Sequence, residues 1–140
     1  MQSKGNAPSA AQTRWRETVR RVGCIATGSA NPEPTEPGDI QIHHVLGQSA
    51  VRNGVPIGHW FILPLHWRLH DIASDYPANV TTSKTRFVQR YGSEKSLFAK
   101  MIYGFLVAGI ELPFDMAVLN AIGREGYWTK QTPQQREITE

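Results

Sequence analysis

All five histidines of this 140-residue chain, His43, His44, His59, His66 and His70, fall between positions 43 and 70. Histidine is the commonest metal ligand among side chains, and its unperturbed pKa lies closest to neutrality. Packing alone does not account for every copy gathering in one short segment. The pattern points to holding a cation, moving a proton, or both. His66 and His70 are four apart, which on a helix puts them on one face and within reach of one ion. His43 and His44 are adjacent, so on a strand their rings leave from opposite faces. One of them can join a metal cluster while the other turns toward a substrate held beside it. Three imidazole ligands leave coordination positions for water and for a substrate oxygen, as metal-assisted hydrolysis requires. Blander readings stand beside these. The pair at 66 and 70 also fits a structural zinc site or two solvent-exposed rings. The adjacent pair fits two ordinary strand residues, and His59 an exposed polar residue at a strand start.

The elements that must position these rings follow from the surrounding pattern. Ile40 and Ile42 alternate into His43, His44, Val45 and Leu46, which reads as a short strand. Residues 47–58 hold Gly47, Gly54, Gly58 and Pro56 and read as a turn-rich excursion. His59 to Leu65 is a second run of β-formers, ended by Pro64 because proline cannot donate to a ladder. His66 to Ser74 reads as a short helix with Leu65, Leu69 and Ile72 as its apolar stripe. The order is strand, loop, strand, helix. Upstream, Trp15, Val19 and Val22 recur at helical spacing over Arg14–Val22, closed by Gly23. Pro32, Pro34, Pro37 and Gly38 mark an exposed loop from Thr27 to Asp39. Downstream, helices are expected over Thr85–Tyr91 and, behind Ser93 as N-cap, over Glu94–Ile110, with Leu97, Met101, Phe105 and Ala108 as its core face. A last helix follows Pro113 over Phe114–Ile122 and stops at Gly123. The class is α+β. Residues 14–125 are expected to form a single domain, between a flexible tail of 1–13 and a polar tail of 126–140.

Composition bounds the function. Hydrophobic content of 40% and charged content of 19% fit a soluble folded domain. A net charge of +3 permits a polyanionic partner without demonstrating one. Cys24 is the only cysteine, which excludes an intramolecular disulfide and a zinc site built from several thiolates. Met1 to Thr13 lacks the apolar segment of a signal peptide. The longest greasy stretch, Met101–Ile110, is about half the ~20 residues of a membrane-spanning helix. These features lead us to expect a soluble cytoplasmic protein.

The run Ile40 to Leu46 with its His–His pair, then Ile62-Leu63-Pro64-Leu65-His66 and His70, resembles the HNH, or ββα-metal, nuclease motif. More narrowly, the chain is similar to the phage recombination-enhancement (Ref-type) proteins, which are RecA-dependent HNH nucleases. That likeness also takes in Arg86-Phe87 and Arg90-Tyr91-Gly92-Ser93-Glu94, and spans about residues 23–100. It implies a ββα-metal hairpin-plus-helix core with additional N- and C-terminal helices. His43 would be the first metal ligand, and His44 the general base that takes a proton from water. His70 and His66 would be ligands on the helix. His59 would stand where such motifs carry a middle residue, often asparagine, that orients the base. Two departures stand out. Counting back from His70 lands the middle position on Phe61 instead of His59. Cys24, with Thr27 near it, also lacks the paired cysteines with which many HNH relatives bind a structural zinc.

The expected function is metal-dependent hydrolysis of DNA phosphodiester bonds, associated with phage or prophage recombination. Imidazole donors favour Zn²⁺ over Mg²⁺ or Mn²⁺, though HNH enzymes as a class work with several metals. Arg52, Arg68, Lys84, Arg86 and Arg90 flank the cluster in sequence and are candidates for phosphate contacts. The resemblance implies a RecA filament on single-stranded DNA as partner. The rival readings are a non-catalytic, metal-stabilised nucleic-acid-binding module, an HNH-like recombination accessory that has lost catalysis, and a metallohydrolase acting on something other than nucleic acid.

Overall fold

A computed structural model describes residues 7–27 and 40–123. The expected N-terminal tail up to residue 6, the proline-rich loop over 28–39 and the polar segment 126–140 lie outside the described residues. Among those described, the architecture is mixed α+β, with five helices and two small antiparallel sheets.

Helix α1 (Ala10–Arg20) begins four residues before the expected Arg14. Ser9 accepts from the Gln12 backbone while the Gln12 side chain reaches back to Ser9, a reciprocal cap that satisfies two orphan donors. Strands β1 (Ile40–His44) and β4 (Ile62–His66) pair antiparallel, with Ile40 opposite His66, Ile42 opposite Pro64 and His44 opposite Ile62.

Pro64 therefore lies inside β4 and does not end it. Both main-chain polar groups of an antiparallel residue face the same side. The Pro64 carbonyl accepts from Ile25 N–H at 3.0 Å, outside the β1 pairing. The donor that proline lacks would have pointed away from β1, and the ladder loses nothing.

Between these strands, β2 (Val51–Arg52) and β3 (Val55–Pro56) form a miniature hairpin. Asn53 (φ 53°) and Gly54 (φ 77°) both take the left-handed conformation at its tip, as a two-residue turn matching strand twist demands. At the base of this excursion a Cβ on Gly58 would lie 2.1 Å from the Gln48 carbonyl oxygen, so the two segments close on each other only because position 58 has no side chain.

Strand β4 is the spine of the core. Ile62, Leu63, Pro64 and Leu65 are buried, packed with Trp15 and Val19 of α1 and with Leu97, Phe98 and Ile102 of α4 (Glu94–Val107). Phe61 meets Phe98 edge-on at 5.0 Å, and Trp15 meets Phe105 at 5.5 Å while donating its indole N–H to the Trp60 carbonyl. In β1, only Ile40 is fully buried.

Helix α2 is a single turn (Trp67–His70), shorter than the expected span to Ser74. One turn of helix is not stable alone. Asn79, fully buried, holds it in place: its amide donates to the Arg68 and Asp71 carbonyls, and its oxygen accepts from Thr81 and Thr82. Ser74 and Thr81 hydroxyls donate to the Arg68 and His70 carbonyls.

Helix α3 (Lys84–Tyr91) precedes α4, and Ser93 caps α4 as expected. Helix α4 stops at Val107, short of the expected Ile110. Gly109 turns left-handed (φ 78°), with Gly109 N–H bonded to Leu106 and Ile110 N–H to Phe105, the paired bonds of a glycine C-terminal stop. Ala108 is consequently exposed and not on the core face. Helix α5 (Met116–Gly123) begins two residues after Phe114 because the Asp115 carboxylate accepts from Ala117 N–H. No helix among the described residues is long and apolar enough to cross a membrane.

Candidate functional site

Pleating of β1 sends consecutive side chains to opposite faces, and the histidines divide accordingly. The His43 ring meets His70 of α2 edge-to-face at 5.0 Å. The His44 ring meets His59, in the turn before β4, at 5.4 Å. Four of the five histidines thus form two pairs, one on each side of the strand. The fifth, His66, caps α2: its Nδ1 accepts from Arg68 N–H at 3.2 Å and its ring lies against Trp67 at 6.1 Å. His66 and His70 accordingly stand at the two ends of the turn.

On the His43–His70 side, hydrogen bonds fix which ring nitrogens carry protons. His43 Nε2 is 2.6 Å from Glu94 Oε2, and the other carboxylate oxygen is 3.1 Å from Lys84 Nζ. Burial alone would raise the Glu94 carboxyl, but the His43 bond and then Lys84 hold it below the ordinary carboxylate value. An ionised carboxylate only accepts, so His43 Nε2 is the donor, and a neutral ring keeps its lone pair on Nδ1. Gln41 sets the second ring. Its amide nitrogen donates to Asp71 Oδ2 at 2.8 Å, which turns its oxygen toward His70 Nδ1 at 2.7 Å. His70 Nδ1 must donate, leaving the lone pair on Nε2. Burial first, and His43 next, push the His70 pKa down against the opposing Asp71, which keeps that lone pair available. Imidazoles whose far nitrogen is held by a carboxylate or amide oxygen are the usual supports of metal sites. The donor chemistry therefore fits a divalent cation. Among the described residues no group of three or more His, Cys, Asp and Glu side chains is gathered closely enough to hold an ion by itself. Water or substrate oxygens would complete the coordination.

On the other side, His44 is half-buried and its pKa is lowered to about 4, by desolvation first and then by His59, Arg16, His43 and His70. The ring is neutral throughout the physiological range and able to accept a proton. His59, 7% exposed, backs it from the protein interior.

The basic residues singled out from the sequence are spread around these pairs. Arg52 on β2, Arg68 on α2 and Arg86 on α3 are exposed. Lys84 is committed to Glu94. The Arg90 guanidinium lies 5.7 Å over the Tyr91 ring.

Sequence reasoning gave no role to Glu94, Gln41, Asp71 or Arg16. Glu94 is 51 residues from its histidine and follows no local spacing. Gln41 carried a signal, since it lies two positions before His43 on the same side of an expected strand.

Comparison with known proteins adds one finding. A family model described as "Recombination enhancement, RecA-dependent nuclease" matches residues 8–104, from the N-cap region of α1 into α4. No curated protein and no solved structure matches the chain.

Proposed function

The chain belongs to the recombination enhancement, RecA-dependent nuclease family, and on that premise we propose that it is a metal-dependent DNA endonuclease with a ββα-metal (HNH-type) core formed by β1, β4 and α2. The observation that carries this reading is the division of four histidines into two pairs across β1, one pair with ring nitrogens prepared as ligands and the other holding a neutral imidazole.

A phosphodiester resists hydrolysis because its anionic oxygens repel the nucleophile. His44 takes a proton from the attacking water at its unprotonated ring nitrogen, a contribution typically worth ~10²–10⁴-fold. Its depressed pKa keeps that nitrogen free at neutral pH. His59 limits the rotation of the His44 ring by packing against it. His43 and His70 would hold a divalent cation, Zn²⁺ ahead of Mn²⁺ or Mg²⁺ for imidazole donors, with water and substrate oxygens completing the coordination, while His66, expected from the sequence as a further ligand, caps α2. When bound, the cation supplies charge neutralisation at the phosphate oxygens. Glu94 and Gln41 keep the two ligand rings in their tautomers. Arg52, Arg68 and Arg86 supply phosphate contacts along the strand, and a RecA filament on single-stranded DNA is the partner that presents the substrate.

The test is cleavage of supercoiled plasmid and of RecA-coated single-stranded DNA with Zn²⁺, Mn²⁺, Mg²⁺ or chelator. Cutting that requires metal is expected. Tight DNA binding with no cutting under any metal would instead favour a non-catalytic recombination accessory.

A further inference from the structure

Helix α1 lies outside the hairpin-and-turn unit, yet it carries a basic stripe along β1. Arg20 Nη1 donates to the Ile40 carbonyl at 2.9 Å and so fixes the helix to the start of the strand. Arg16 is one helical turn earlier on the same face, toward the end of β1 where the adjacent Trp15 bonds the Trp60 carbonyl and His44 pairs with Ile62. Its charge is felt at the His44 ring. Arg16 is partly buried, and its Nε is buried without a hydrogen-bond partner. Among the described residues no carboxylate pairs with it, whereas Arg20 has Glu17 at 3.6 Å. An orphaned buried donor is destabilising, and among the described residues no anion neutralises the Arg16 guanidinium.

We propose that Arg16 contacts the substrate, its guanidinium binding the phosphodiester that faces His44. The assignment rests on the nuclease reading for the role of His44, but the phosphate contact itself does not need cleavage. The guanidinium fork matches two phosphate oxygens, while an ammonium offers only a point charge. Charge on those oxygens grows toward the transition state, so the contact acts mainly on kcat.

Arg16→Met and Arg16→Lys are to be compared with wild type and with Arg14→Gln, an exposed arginine of the same helix, in metal-dependent cutting of a single-stranded oligonucleotide. Expected are a kcat reduced about 100-fold for methionine and about 10-fold for lysine, KM within about threefold, and an unchanged Arg14→Gln. In parallel, the Arg16 Nε–H resonance is followed while His44→Ala protein is titrated with a short single-stranded oligonucleotide. A saturable shift is expected. Cutting by Arg16→Met within twofold of wild type, or a resonance unmoved at saturating oligonucleotide, overturns the proposal. If the methionine variant does not fold, the resonance decides. If wild type cuts no DNA with any metal and the resonance still moves, the nuclease reading falls and the phosphate contact stands.

Discussion

Glu94 and Gln41 show how much of a histidine site resides in residues that would touch neither metal nor substrate. Each is an acceptor aimed at one ring nitrogen, and each is itself held, Glu94 by Lys84 and Gln41 by Asp71. Removing such a partner typically weakens metal affinity 10–100-fold. Glu94→Gln keeps the shape but discards the charge that fixes the His43 proton on Nε2. Lys84, 56% exposed, tolerates the loss by turning to water. We predict a Zn²⁺ affinity lowered about 10-fold or more in Glu94→Gln, read by competition with a chelating dye, with the thermal transition little changed. Equal affinity in variant and wild type would remove Glu94 from the ligand support.

At the scale of elements, the site depends on a turn of helix too short to stand alone. Asn79 ties α2 to the segment that follows it with four hydrogen bonds made in full burial. Asn79→Leu leaves two carbonyls and two N–H groups without those partners, and we predict a stability loss of about 2–4 kcal/mol in urea unfolding. A loss under about 0.5 kcal/mol would mean that α2 is held by other means. The strand, loop, strand, helix order was legible in the sequence because alternation, glycines and β-formers act locally. The hairpin tip at Asn53-Gly54 was legible too, although the expectation there was only a loop. Pro64 misled because the rule about proline concerns the side of the strand that the missing donor faces, and that side is set by Ile25, far away in sequence. The early start of α1 and the early stop of α4 are capping effects, each decided by one or two residues beyond the apolar stripe.

Across the whole molecule, a net charge of +3 is too small to act as a general DNA-binding field. On the proposed reading, attraction to nucleic acid is local. Of the five basic residues that the sequence suggested for it, Lys84 is committed to Glu94 and Arg90 lies over Tyr91, while Arg16, which no motif marked, helps to lower the His44 pKa. The histidine cluster itself could be read from composition, and so could the opposite facing of His43 and His44. Which ring partners which could not, since those contacts cross from β1 to α2 and to the turn before β4. In the proposed mechanism one strand divides the labour, with ligands on one side and a proton acceptor on the other. Single-turnover cutting by His44→Ala, beside its Zn²⁺ affinity, separates the two most directly. We predict metal binding within about twofold of wild type and cutting slower by ~10²–10⁴-fold. Cutting at the wild-type rate would contradict it.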